Sequence, residues 1–124
     1  MLDLAYTRSM KPLVWMGDSL TVLREFPRAV KEEMGYALYL AQVGDKHPCA
    51  KPLKGLGSGV FEVISDFRGD TYRAVYTVKL AGRVYVLHAF QKKSKKGIAT
   101  PKAEMDLVNQ RLKRAEELHF EKED

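Results

Sequence analysis

A single cysteine, Cys49, leaves no partner for an internal disulfide and no ligand set for a cysteine-based zinc site. A reducing compartment fits such a chain best. No apolar run approaches the ~20 residues that span a bilayer, and the opening MLDLAYTRSMKP breaks its apolar residues with charge, unlike the core of a secretory signal. The expected location is the cytoplasm, with no membrane contact. There is no internal repeat and no long Ser/Gly/Pro linker, and only the KKSKK run is locally biased. With 45% hydrophobic and 30% charged residues the chain is neither disordered nor fibrous, and 124 residues suit one domain. That domain is expected over 1–124, with flexible ends at 1–10 and 119–124.

Acidic residues are missing from one whole stretch. Between Thr71 and Ala103 there is no Asp or Glu, while Arg73, Lys79, Arg83, Lys92, Lys93, Lys95, Lys96 and Lys102 supply eight positive charges. Residues 1–70 balance nine bases against nine acids, and residues 104–124 carry seven acids and four bases. The overall charge of +5 is therefore a basic middle between a neutral front and an acidic tail. A lysine run is either a solvated surface or a footprint for a polyanion, and composition alone does not decide between them.

The hydrophobic pattern predicts an α+β fold. KPLVWM, residues 11–16, reads as a first strand ended by Gly17, and Asp18 or Ser19 can cap the helix that follows. Leu20, Leu23, Val30, Met34, Ala37, Leu38 and Ala41 recur at helical spacing. Pro27 divides this stretch into a short helix to about Phe26 and a longer one to about Val43. Residues 44–59, with two prolines and four glycines, read as loop. VFEVISDF (60–67), TYRAVYTVKL (71–80) and RVYVLHAFQK (83–92) read as a three-stranded meander, with RGD and Ala81-Gly82 as its turns. Thr100 and Pro101 mark the start of a helix from Lys102 to about Leu118. The expected architecture is a small antiparallel sheet, the N-terminal strand plus the meander, packed against the N-terminal helices and followed by a C-terminal helix.

A two-residue turn at Ala81-Gly82 fixes the hairpin register. Arg73 then lies opposite Phe90, Val75 opposite His88, Thr77 opposite Val86 and Thr71 opposite Lys92, all on one face. The other face, with Tyr72, Ala74, Tyr76, Leu87 and Ala89, is apolar and suits the helices. A guanidinium, an imidazole, an aromatic ring and ammonium groups on one patch are what binding a phosphodiester beside a base requires. Each member also has a plainer reading: an exposed strand arginine, a half-buried structural histidine, a core phenylalanine.

The segment from Lys51 to Leu112 resembles the RelE/ParE toxin superfamily, and within it the phage-derived HigB-like branch. The likeness rests on PLKGLGxGVFE leading into the sheet, the YRAVY strand, LHAFQKKSKKGIATP, and a final E-x-x-L-x-x-Q-R-L helix. It extends over about residues 11–118. It implies a RelE-like fold and the toxin of a type II toxin–antitoxin pair. Such a toxin is a ribosome-dependent messenger RNA endoribonuclease, held silent by a helix-turn-helix antitoxin. By the same resemblance Arg73 matches an arginine that holds the scissile phosphate, Lys92 and Lys93 match residues that contact it in the transition state, and Lys54 lies in a characteristic loop. RelE-type toxins carry lysines where this chain has Glu62 and Ile64, and a C-terminal tyrosine that is lacking here after Tyr85.

No clustered carboxylates or histidine pair suggest a metal or cofactor, so the implied cleavage is metal-free, by attack of the substrate 2′-hydroxyl on the adjacent phosphate. The candidate catalytic residues are Arg73, His88, Lys92 and Lys93, with His88 the proton-transfer candidate because imidazole titrates near neutrality. A lysine is the rival. The candidate RNA-binding residues are Lys54, Arg68, Phe90, Lys95 and Lys96. His47, in the Gly/Pro-rich loop, and His119, in the acidic tail, are read as non-catalytic. Three other readings remain: a ParE-like toxin that inhibits gyrase without catalysis, a non-catalytic phage-derived nucleic-acid-binding protein, and a decayed toxin that keeps only its antitoxin surface.

Overall fold

The computed structural model describes residues 10–92 and 100–123. In chain order the elements are β1 (Leu13–Trp15), α1 (Ser19–Arg24), α2 (Arg28–Gln42), β2 (Ala50–Pro52), β3 (Val60–Phe67), β4 (Asp70–Thr77), β5 (Val84–Lys92) and α3 (Lys102–Glu123). The strands form one sheet in the order β1-β5-β4-β3-β2. The helices begin and end close to where the apolar spacing and Pro27 place them. None of the described helices is long and apolar enough to cross a membrane.

The sheet differs from the expected one in three respects. It is mixed, because β1 runs parallel to β5. It has a fifth strand, since Ala50–Pro52 pairs with β3 inside the stretch read as loop; three residues ending in proline at a sheet edge give no alternation to detect. And it is covered on both faces. Val30, Met34, Ala37, Leu38 and Ala41 of α2 pack with Tyr72, Ala74, Tyr76, Val84, Val86 and Ala89 on one side. Val108, Leu112 and Ala115 of α3 pack with Val60, Val75, Tyr85 and Leu87 on the other. The face expected to be an open patch therefore lies under α3.

The β4–β5 connection is longer than two residues, running from Val78 to Arg83 with Gly82 at φ +82°. A longer turn would shift every partner by one. A β-bulge absorbs the shift: Tyr76 pairs Val86 and Thr77 pairs Tyr85, but from Val75↔His88 onward through Arg73↔Phe90 to Thr71↔Lys92 the expected register holds. Leu87 is the extra residue. The side chains of Leu87 and His88 consequently point to the same side of β5, the one α3 covers.

α3 continues to Glu123, through residues 119–123 of a segment expected to be a flexible end; the other such segment, 1–10, lies outside the described residues except for Met10. His119 is buried, and its Nδ1 lies 3.0 Å from the Tyr85 hydroxyl and 3.3 Å from Arg83 Nη1, which fastens the far end of the helix to the sheet.

Candidate active site

Two buried polar clusters lie side by side beneath the start of α3. The first is centred on Arg73 in the middle of β4, only 3% exposed. Glu62 on β3 stands beside it, and Arg73 Nη1 donates to Glu62 Oε1 at 3.0 Å. Thr100 Oγ1 donates to the other carboxylate oxygen at 2.7 Å and accepts a longer bond from Arg73 Nη1 at 3.4 Å. Thr100 thus spends its hydroxyl on Glu62 rather than on capping α3. Arg73 Nε is buried with no hydrogen-bond partner among the described residues. An unsatisfied buried donor costs ~1–3 kcal/mol, so this guanidinium retains capacity for an acceptor.

The second cluster is centred on His88. Its Nε2 lies 2.6 Å from Glu104 Oε1 and its Nδ1 lies 2.9 Å from Arg111 Nη1. Arg111 donates as well to the Leu87 carbonyl at 3.1 Å and, through Nη2, to Asp18 Oδ1 at 2.8 Å. Asp18 therefore stands at the start of α1 without capping it through its side chain. Gly17, at φ +53°, makes room for the guanidinium: a Cβ there would lie 2.5 Å from Arg111 Cζ. Phe90 stacks on His88 with ring centroids 5.2 Å apart and is itself buried. Its plainer reading as a core residue describes its position, and no open ring face is left for a base.

Of the residues singled out in the sequence, the structure brings Arg73, His88 and Phe90 onto one face, with Lys92 at the end of β5 beyond them. Arg68 is exposed at the β3–β4 turn, which lies at the same end of the sheet as Lys92 because Thr71 pairs with Lys92; its guanidinium sits 5.1 Å from the Phe67 ring. Lys54 does not join them. It is exposed beyond β2, where Pro52 pairs Phe61, so the eight-residue length of β3, roughly 23 Å, separates it from Arg68. Lys93, Lys95 and Lys96 lie outside the described residues. Sequence reasoning missed Glu104 and Arg111. The signal was present: Glu104, Val108, Arg111 and Ala115 follow one another at helical spacing, so two charged residues interrupt the apolar stripe of α3. Among the described residues no three His, Cys, Asp or Glu side chains converge as a metal site would require.

A comparison with solved structures matches the chain to a double mutant of the E. coli toxin RelE in the free state. The TM-score is 0.53 at 18% sequence identity, over 85% of this chain and 97% of that one. This likeness establishes the fold. No curated protein matches at comparable significance. Residues 21–113, well over half of the chain, match the family described as "Phage derived protein Gp49-like (DUF891)". The chain belongs to that phage-derived, Gp49-like family and has a RelE-like fold.

Proposed function

We propose that the protein is the toxin of a toxin–antitoxin pair and acts as a metal-free endoribonuclease on ribosome-bound messenger RNA. The observation that carries this reading is Arg73, a cation held in the centre of the sheet by a carboxylate, with one donor unpaired among the described residues and an acid-free basic stretch following it in sequence. Fixed donors aimed at charge that develops on a phosphorane stabilise it without reorganisation. In this mechanism Glu62 orients the guanidinium and Arg73 binds the scissile phosphate. Lys92 and the lysines that follow it in sequence neutralise the flanking backbone. The His88–Glu104 pair moves the proton. For substrate to reach Arg73, the Thr100 side chain turns away from Glu62. A helix-turn-helix antitoxin, as in the toxins this chain resembles, is the expected inhibitor.

Burial favours one rival: a toxin that acts by contact, in which both clusters only dock α3 on the sheet. Expression of Arg73→Ala separates the two. The ribonuclease reading expects a variant that still folds, though less stably because buried Glu62 loses its partner, and no longer inhibits growth, whereas a fully toxic, folded variant favours the contact mechanism.

A further inference from the structure

The hydrogen-bond network assigns the hydrogens of the second cluster. A guanidinium only donates, so the Nδ1 atom that Arg111 meets at 2.9 Å is an acceptor. The ring hydrogen is then on Nε2 and is donated to Glu104 Oε1 at 2.6 Å. Both nitrogens of His88 are engaged, and its side chain is 5% exposed. The Glu104 side chain is 29% exposed, and no described residue donates to its second carboxylate oxygen. The contacts run Asp18, Arg111, His88, Glu104, with His88 the buried centre and a carboxylate at each end; the Asp18 end is held by Arg111 at the start of α1, and the Glu104 end lies on the Thr100 side. A carboxylate with one oxygen fixed by an N–H and the other turned outward is a positioned base. Glu104 follows Thr100, which touches both Arg73 and Glu62, by four residues, and its partner His88 stacks on Phe90, the cross-strand partner of Arg73.

Resting on the ribonuclease reading above, we propose that Glu104 is the group that accepts the proton of the ribose 2′-hydroxyl, and that His88 and Arg111 are positioning residues. In the step the 2′-oxygen loses its proton to Glu104 and forms the bond to phosphorus. The bond from phosphorus to the 5′-oxygen breaks, and the 5′-oxygen takes a proton from water. The products are a 2′,3′-cyclic phosphate and a 5′-hydroxyl, and Glu104 returns its proton to solvent. Arg111 fixes which nitrogen of His88 carries the hydrogen, and so holds the glutamate rather than the substrate.

The test uses the purified full chain with messenger-programmed ribosomes at one fixed pH. Glu104→Ala is expected to lower kcat at least ~100-fold with KM little changed, and added formate to restore at least tenfold of that loss. Glu104→Gln, which keeps the shape, should be as slow and insensitive to formate. His88→Ala should show no gain with formate. Nitrogen NMR of the wild type should find Nδ1 of His88 bare and Nε2 protonated, and Arg111→Ala should lose that preference. Cleavage by folded Glu104→Gln at the wild-type rate overturns the assignment. Rescue of His88→Ala by imidazole, with none of Glu104→Ala by formate, gives the role to His88. Absence of cleavage by the wild type defeats the ribonuclease reading itself, a separate outcome.

Discussion

Replacing Glu62 by glutamine keeps the shape of the side chain and its capacity to accept from Thr100 or Arg73, but removes the counter-charge from a guanidinium that is 3% exposed. The pair is closed from water on both sides, with the glutamate side chain 8% exposed and the N–O separation 3.0 Å. Removing one member of such a pair leaves an uncompensated buried charge, which costs ~3–5 kcal/mol. For a domain of this size that corresponds to a fall in Tm on the order of 10–20 °C. Replacing both members, as in Glu62→Leu with Arg73→Met, removes the charge along with its partner and should bring stability back to about the wild-type value or slightly above it. Urea unfolding at neutral pH followed by circular dichroism measures both variants, and m-values near that of the wild type confirm that the same surface is exposed. If Glu62→Gln costs under ~0.5 kcal/mol, the cost of an exposed substitution, or if the double variant is as unstable as the single one, the buried pair is not the source of the stability.

Further outcomes follow from single positions. Burial pushes the Tyr76 hydroxyl up to about 12 from 10.0. A group whose folded value is raised contributes stability that is fully present below the unfolded value and lost as pH climbs through the folded one. Unfolding midpoints should therefore fall between about pH 10 and 12, by roughly 2–3 kcal/mol more in the wild type than in Tyr76→Phe; equal slopes in the two proteins would count against it. Gly17→Ala should expel the Arg111 guanidinium, lowering stability by ~1–3 kcal/mol and shifting the nitrogen resonances of His88, and unmoved resonances would contradict the packing. Phe90→Ala should destabilise by ~3–5 kcal/mol as a core truncation, whereas a loss of RNA affinity with stability intact would make the ring a stacking platform after all.

Much of the fold was legible because local signals agreed: the spacing from Val30 to Ala41, Pro27 between two helices, and Val- and Tyr-rich strands around turn residues. The pairing of Arg73 with Phe90 was read correctly although the turn assumed for it was too short, since the bulge at Leu87 compensates for the longer connection. That bulge carries no Gly or Pro and left no mark in the pattern. The covering of the second face was harder to see. An alternation of Arg73, Val75, His88 and Phe90 looks half polar, and the pairing of the two polar side chains with Glu62, Glu104 and Arg111 makes their burial tolerable. Those partners are far from Arg73 and His88 in sequence and meet them only when the sheet and α3 are assembled. Lys54 was grouped with the other cations because a sequence has no ends of a sheet, and the topology sends it to the other one.

The most direct measurement incubates purified protein with ribosomes carrying a defined messenger and maps the cut ends, for the wild type and for folded Arg73→Ala. The account predicts fragments ending in a 2′,3′-cyclic phosphate and beginning with a 5′-hydroxyl from the wild type, and a loss of cleavage by at least ~100-fold in the variant. No fragments from the wild type, or undiminished cutting by Arg73→Ala, would contradict it.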